Sequence, residues 1–300
     1  MLSKQDIFKE LGKEINIYPL HLNNIKENSI NLTISKNAWS LGSASIIEKT
    51  PRKFCLAPSG TQKRKHTISK GGSAIVKAGG KNYLILLPHI TTIVETSEVI
   101  GVGNQIGGTL HSKVGVVAQG IGDIGTMLGP NFCGHLMISL HNITDEVISI
   151  EVGETFVSLV FYYLNSASKE NKNSNISGHV DKLSELGIKI DARTREYLTE
   201  DWKCKIDGIR DKLCASDEYK AFRAQLSKNR RSNLLKYFNV RNIALSLVFI
   251  VVLVGAGIGA NYIDVKAGTS VWSDRYWTVI SSGIFVPVLL AFGKFFKKGI

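Results

Sequence analysis

Short apolar segments separated by turn-forming residues fill the stretch 109–164. Three of these segments, at 135–140, 147–151 and 155–164, are rich in Val, Ile, Phe and Tyr, and Gly, Asn and Asp interrupt them. β-Branched and aromatic residues favour strands, whereas Gly and Asn favour the tight turns that connect strands. The pattern therefore predicts a compact all-β unit, a sandwich or a barrel, and leaves its purpose open.

Three landmarks occur in order along this stretch. The sequence reads HSKV at 111–114, LGPNFCG at 128–134 and VGE at 152–154, just before the last apolar segment. This order resembles the dCTP deaminase and dUTPase superfamily. There, an Arg-Ser-Ser-Leu phosphate-binding turn precedes Ile-Asp-Pro-Gly-Trp/Phe-x-Gly, and a Pro-Gly-rich turn leads to the final strand. The beginning of the chain is similar to the opening of dCTP deaminases, with LSKQDI at 2–7, INIYP at 15–19 and NSINL at 28–32.

The resemblance covers residues 1–164 and implies a mainly β domain with the dUTPase-like distorted β-barrel or jelly-roll fold. It further implies a homotrimer with nucleotide pockets between subunits. The residues that it places at the nucleotide are His111, Ser112 and Lys113 in the phosphate turn, Phe132 in the second turn, and Ser139 on the strand that follows. A hydroxyl, a cation and backbone N–H groups are suited to phosphate oxygens.

The resemblance does not extend to the catalytic groups. Ser139 stands where deaminases of this family have a glutamate that acts as general base, and serine has no carboxylate to accept a proton near neutral pH. Gly129 stands where dUTPases have an aspartate, His111 replaces the arginine of the phosphate turn, and the second arginine falls near Val116. The sequence therefore predicts a pseudoenzyme, a nucleotide-binding scaffold without the parent chemistry. Three polar side chains could in principle replace the lost carboxylates, although their spacing does not favour it: Gln119, Asp123 and Asp145.

The charge of the chain indicates an anionic partner. The net charge of +12 and the isoelectric point near 9.5 suit phosphate, nucleic acid or a membrane surface.

The four cysteines form no CxxC pair and no histidine lies at metal-ligand spacing, so we expect reduced intracellular thiols, no metal and no cofactor. Early charges near the N-terminus predict no secretory signal. The basic stretch 57–72 is interpretable either as a phosphate-contacting loop or as a solvated hairpin loop.

The composition changes after residue 164. Residues 165–178 are rich in Asn, Ser and Lys and predict a linker, and helical patterns follow at 180–186 and 191–213. Ser216 is positioned to cap a third helix that runs to about residue 238. An apolar stripe at helical spacing suits either a seam between chains or packing against the β domain, and consists of Leu198, Trp202, Ile206, Ile209 and Leu213.

Two long apolar runs occupy the C-terminal part of the chain. Residues 243–263 and 276–293 carry no charge, and each is close to the length that spans the hydrocarbon of a bilayer. Basic residues lie before the first run and after the second, so the positive-inside rule places both termini in the cytoplasm. The sequence therefore predicts a multi-pass protein of the inner (cytoplasmic) membrane. Its parts are a β domain at 1–164, a helical linker at 165–240 and a two-helix transmembrane hairpin at 241–300.

A nucleotide pocket without its general base, joined to a membrane hairpin, predicts a sensor rather than an enzyme. We expect a dNTP or a cyclic nucleotide as ligand, the lipid bilayer as a second partner, and a role as an antiphage-defence effector that acts on the membrane. One alternative is an active, membrane-tethered dCTP deaminase or dUTP pyrophosphatase that uses substituted residues. A second alternative is a structural anchor whose β domain serves trimerisation.

Overall fold

The computed structural model describes residues 1–50, 53–59, 65–123, 125–169, 180–237 and 240–279. Residues 50, 123, 230–237, 240–253 and 279 are described by their backbone alone. The chain divides into two units, Met1–Arg223 and Ala224–Ile300.

The first unit is built mainly from strands. The strands are β1 (Ile15–Tyr18), β2 (Ile30–Ser40), β3 (Ala44–Thr50), β4 (Lys53–Leu56), β5 (Lys65–Ile68), β6 (Ile75–Ala78), β7 (Lys81–Leu86), β8 (Thr91–Val102), β9 (Ile106–Ser112), β10 (Ile121–Asp123), β11 (Met127–Leu128), β12 (Cys133–Asn142), β13 (Ile148–Glu151) and β14 (Thr155–Tyr163). Seven strands of the largest sheet follow the order β10-β12-β8-β2-β14-β9-β11, β1 pairs with β8 beside this path, and every pairing in this sheet is antiparallel. Two three-stranded sheets have the orders β13-β7-β6 and β4-β3-β5. The mainly β character predicted from the sequence is confirmed.

The first helix, α1 (Lys4–Glu10), begins at a capping box. The Ser3 hydroxyl accepts a hydrogen bond from the Asp6 amide, and the Asp6 carboxylate accepts one from the Ser3 amide, which satisfies donors that a helix start leaves unpaired. Ile7 then points into the core of the largest sheet, where it packs with side chains such as Leu32 and Phe156.

The basic stretch 57–72 is described in part. Its strand β5 pairs with β3, which in turn pairs with β4, so the described part belongs to a β-sheet. Residues 60–64 lie outside the described residues, and the choice between the two interpretations of the loop stays open.

The helices after the linker belong to the first unit up to residue 223. The single helix predicted at 191–213 is interrupted, because Thr199 ends α4 and Lys205 has an extended backbone with φ −132° and ψ 129°. The apolar stripe packs against the β domain, since Leu198, Ile209 and Leu213 are fully buried there. The helices after the linker are α3 (Val180–Glu185), α4 (Ala192–Leu198) and α5 (Ile206–Ala215), with a 3₁₀ turn at Asp201–Cys204. Within the β domain lie the short helix α2 (Val114–Val117) and a 3₁₀ turn at Leu22–Asn24.

The next helix, α6 (Asp217–Tyr237), begins after Ser216, whose hydroxyl accepts a hydrogen bond from the Tyr219 amide at 3.4 Å as expected. Tyr219 in turn donates its hydroxyl to the carbonyl oxygen of Leu11 at 3.1 Å. The neighbouring Gly12 has a φ of +77°, and a Cβ at this position would lie 2.1 Å from the Tyr219 hydroxyl oxygen. Glycine at residue 12 therefore suits both the left-handed backbone and the close approach of the Tyr219 side chain.

The second unit contains α7 (Val240–Ala267) and α8 (Val271–Val279). Asp264 fixes the turn between them, because its carboxylate accepts hydrogen bonds from the amides of Trp272 and Ser273 and from the Thr269 hydroxyl. Among the residues that the structure describes, no helix is both long enough and apolar enough to cross a membrane. The two predicted transmembrane helices are therefore not supported. Of the runs that predicted them, the side chains of 243–253 and all of 280–293 lie outside the described residues.

Candidate functional site

The predicted phosphate turn lies where β9 passes into α2. The Lys113 ammonium donates a hydrogen bond to the Thr155 hydroxyl at 2.5 Å, which ties the turn to the start of β14. His111 is exposed, and its Nε2 lies 3.0 Å from the Thr109 hydroxyl oxygen. Ser112 ends the strand between them. The structure thus brings an imidazole, a hydroxyl and a cation to one turn at the protein surface.

Exposed apolar side chains surround this turn. Val114 and Val117 follow it directly in α2, and Met127 on β11 pairs with Thr109 of β9. All three are largely solvent-exposed in this single chain, with Val114 at 85% and Met127 at 83% of their accessible surface. Exposed apolar patches beside polar groups are typical of surfaces that another molecule covers.

Phe132 and Ser139 are placed elsewhere. Phe132 is buried in the main core, and its carbonyl oxygen accepts a hydrogen bond from the Val102 amide at 3.0 Å. Ser139 lies on β12 opposite Ile93 of β8. Three strands separate β12 from β9 in the sheet order, so one chain does not bring Ser139 to the phosphate turn.

The second turn shows how the chain adapts a Pro-Gly pattern. Asn131 follows Pro130 and takes a φ of 60°, in the left-handed region that favours glycine. Asparagine tolerates this region better than other non-glycine residues, which explains how Pro-Asn replaces Pro-Gly here. The Asn131 amide donates to the Gly103 carbonyl oxygen at 3.2 Å and fixes the turn against the end of β8.

A buried carboxyl group that the sequence analysis missed lies next to Ser139. Glu95 of β8 pairs with Met137 and is only 1% exposed. Its Oε2 accepts a hydrogen bond from the Asn37 side-chain amide at 3.3 Å, whereas its Oε1 has no partner among the described residues. Burial raises the pKa of Glu95 to about 8, so its carboxyl group is largely protonated at neutral pH. A glutamate inside the apolar strand sequence at 91–102 was the available signal.

A histidine with an unusual environment lies nearby on β12. His135 is 1% exposed, and its Nδ1 donates a hydrogen bond to the Thr96 carbonyl oxygen at 2.8 Å. Because the carbonyl oxygen can only accept, Nδ1 carries the proton and Nε2 is an acceptor. Nε2 has no partner among the described residues, and burial lowers the pKa of His135 to about 4. The imidazole is therefore neutral at physiological pH.

The helical segment supplies a buried cation above these two groups. Lys203 is 1% exposed, donates to the Tyr197 carbonyl oxygen at 2.5 Å, and lies 3.1 Å from the centroid of the Tyr197 ring. Burial lowers the pKa of Lys203, and the Glu200 carboxylate, 3.7 Å from its Nζ, opposes this shift. The Tyr197 ring also lies 5.6 Å from the His135 ring, measured between centroids. We call Glu95, His135 and Lys203 the buried polar cluster; the Tyr197 ring, which is 43% exposed, lies at its edge.

The model of one protein family, described as dCTP deaminase-like, matches residues 1–164. The chain belongs to the dCTP deaminase-like family. Among curated proteins of the same kind, the dCTP deaminase of Pyrococcus furiosus is 22% identical over 142 residues, covering 47% of this chain and 89% of the relative. That of Thermococcus gammatolerans is 24% identical over 142 residues, covering 47% and 88%.

Two solved structures are similar to parts of this dCTP deaminase-like chain. The 2′-deoxycytidine 5′-triphosphate deaminase of Agrobacterium tumefaciens has a TM-score of 0.37 at 12% identity, covering 55% of this chain and 48% of the other. The dUTPase of EIAV has a TM-score of 0.27 at 19% identity, covering 44% and 98%.

Of the three substitutes considered for the lost carboxylates of this dCTP deaminase-like domain, the two whose side chains the structure describes are exposed. Gln119 is exposed and donates to the Gly115 carbonyl oxygen. The Asp145 side chain is 98% exposed and pairs with His89 at 2.8 Å. The side chain of Asp123 lies outside the described residues. At the dUTPase aspartate position, a Cβ on Gly129 would meet nothing within 4 Å, so glycine is not required there by packing.

Proposed function

We propose that this protein is a nucleotide sensor whose dCTP deaminase-like domain binds a nucleotide without converting it. The observation that carries the proposal is the residue at position 139, where a hydroxyl replaces the glutamate that the resemblance leads us to expect. The Glu95 carboxyl group is not at the position of the lost glutamate, because Glu95 lies on the neighbouring strand β8, opposite Met137 rather than Ser139. A general base must reach the water that it activates.

The proposed nucleotide site is assembled between subunits of a homotrimer. His111, Ser112 and Lys113 of one subunit take the phosphates, and Phe132 and Ser139 belong to the neighbouring side of the pocket. Two observations support this arrangement. The turn and Ser139 lie apart within one chain, and exposed apolar side chains surround the turn. The curated relatives are named dCTP deaminases, which favours a dNTP as ligand, with a cyclic nucleotide as the second class.

We propose that this sensor acts on the cytoplasmic membrane. This part rests on the sequence alone, on the uncharged runs 243–263 and 276–293 and on the basic residues that flank them. We propose that both termini are cytoplasmic, that nucleotide occupancy controls the membrane segments, and that the protein serves in antiphage defence. Alkaline carbonate extraction of cell membranes tests the first step. The full chain is expected to stay in the pellet, and its complete release into the supernatant would rule out an integral membrane protein.

The decisive experiment for nucleotide sensing is a thermal-shift screen of the full chain in mild detergent against a panel of dNTPs, NTPs and cyclic nucleotides. A ligand that binds the folded state alone raises the apparent stability, by about 2.7 kcal/mol at a hundredfold excess over its Kd. At least one nucleotide is expected to raise the melting temperature. The absence of any shift across the panel would defeat the proposal.

Deaminase activity is expected to be absent even when the glutamate is restored. Ser139→Glu supplies a carboxylate, but both arginines of the family are missing: His111 replaces the first, and the position of the second falls near Val116. The groups that orient the triphosphate are therefore still absent. Chromatography of dCTP and dUTP after incubation with the wild type and with Ser139→Glu measures this directly. Multiple turnovers by the wild type would instead establish the active, membrane-tethered enzyme.

A further inference from the structure

One face of the main sheet is covered by the segment Val180–Cys204, which we call the cover. It comprises α3, α4 and the following 3₁₀ turn. Its apolar side chains pack with Trp39 of β2 and Ile93 of β8 in a cluster separate from the main core. The side chains that the cover contributes to this cluster are Val180, Leu183, Ile188 and Leu198, all buried.

The covered face is the face that carries Ser139. On β12, Ser139 pairs directly with Ile93, and Met137 pairs directly with Glu95. Directly paired residues on antiparallel strands present their side chains on the same side of a sheet. Ile93 belongs to the apolar cluster under the cover, and Met137 packs against that cluster. The cover therefore lies on the side of β12 where the family has its glutamate.

The contact between cover and sheet is incomplete at its polar end. Lys203 and Tyr197 of the cover lie over Glu95 and His135 of the sheet. Two buried atoms of the sheet, Glu95 Oε1 and His135 Nε2, have no hydrogen-bond partner among the described residues. An unpaired buried polar atom weakens the packing that buries it, because the same atom is hydrogen-bonded when solvent or a ligand reaches it.

We infer that the cover is a separately opening lid that competes with the nucleotide for the Ser139 face. The inference rests on the proposed function, because Ser139 belongs to the proposed nucleotide site. Opening exposes the two unpaired atoms together with Ser139, and a ligand that hydrogen-bonds them favours the open state. Binding of ligand to the open state alone shifts the equilibrium towards it. The cover is followed in the chain by α5 and α6, which lead to the C-terminal segments.

Native-state hydrogen exchange on the full chain in mild detergent tests whether the cover opens by itself. Amides of 180–204 are expected to exchange through an opening that depends weakly on denaturant, because little surface is exposed in it. Amides of β8 and β12 are expected to exchange through a larger opening with a steep dependence. A single opening shared by the cover and both strands would overturn the inference.

A chemical probe tests access to the face. Ser139→Cys introduces a thiol, and its alkylation rate by a bulky maleimide, followed at its own peptide by mass spectrometry to separate it from the four native free cysteines, reports whether the face is open. Leu198→Asp places a charge at a fully buried cover position, whereas Leu186→Asp adds the same charge at a side chain that is 44% exposed. Labelling is expected to be at least 10-fold faster with Leu198→Asp than with Leu186→Asp. Equal rates would mean that the cover does not control access.

Two safeguards keep the result interpretable. If Leu198→Asp does not fold, Leu198→Ala provides a milder loss of the same contact, and the exchange measurement on the wild type stands independently. Failure of the inference is also distinct from failure of the proposed function. A nucleotide panel without any thermal shift defeats sensing but leaves a separate cover opening in place, whereas a shared opening defeats the cover while nucleotide binding stands.

Discussion

Lys113→Glu is expected to weaken nucleotide binding by about 100-fold or more. The substitution removes a cation from the phosphate turn and places a carboxylate beside the phosphates, and a hydrogen bond to a charged group contributes about 1.5–3 kcal/mol. Lys113 also donates to Thr155, so the wild-type ammonium is held at the turn rather than free in solvent. Isothermal titration with the nucleotide identified by thermal shift measures the change.

The matched control is Lys77→Glu, which makes the same charge reversal at an exposed position of β6, outside the main sheet. It is expected to leave the affinity within about twofold, because Lys77 is not part of the turn and salt and solvent screen an exposed charge outside the site. Equal affinities for Lys113→Glu and the wild type would remove the turn from the site. An equal loss in both variants would show that net charge, rather than this turn, governs binding.

The stability of the first unit is expected to fall as pH rises from 6.5 to 8, by about 1.5 kcal/mol through Glu95. Burial raises the pKa of Glu95 to about 8 in the folded protein, so between its unfolded value and pH 8 the folded state binds more protons than the unfolded state. Stability therefore declines with pH in this window. The lowered pKa of His135, about 4, acts in the opposite direction, but mainly below pH 6.5.

Glu95→Gln removes this titration and is expected to flatten the decline. Chemical denaturation at several pH values measures the difference between the wild type and the variant. The comparison with the variant is needed because burial also raises the pKa of Glu98. The titration of Glu98 makes stability decline with pH as well, and it does so in both the wild type and Glu95→Gln. Glu146→Gln, at an exposed position, is the control and should retain the wild-type slope. A Glu95→Gln profile parallel to the wild type would show that Glu95 does not titrate in this range.

The strands and turns of the β domain were predictable because their signals are local. Apolar segments broken by glycine and asparagine indicate strands wherever they occur, and the turn at Pro130 and Asn131 is specified by two neighbouring residues. The capping box of Ser3 and Asp6 is likewise contained within four residues. Such features need no knowledge of the rest of the fold.

The buried polar cluster was not predictable in the same way. Glu95 and Lys203 are 108 residues apart, and both are of types that usually lie at the surface. Periodicity indicated that Leu198 and Ile209 share an apolar stripe, but it did not decide between a partner chain and the β domain. The periodicity also predicted one continuous helix, because neither a proline nor a glycine stands at position 205 to signal the extended backbone there.

The contact between Tyr219 and Gly12 limits where this chain can be recombined with a relative. A Cβ at position 12 would lie 2.1 Å from the Tyr219 hydroxyl oxygen of α6, and removal of α3 and α4 would expose the apolar face around Trp39 and Ile93 to water. A domain and a helical extension taken from different relatives are therefore expected to fit each other less well. Recombination between relatives is expected to succeed at junctions after residue 222 rather than at the end of β14.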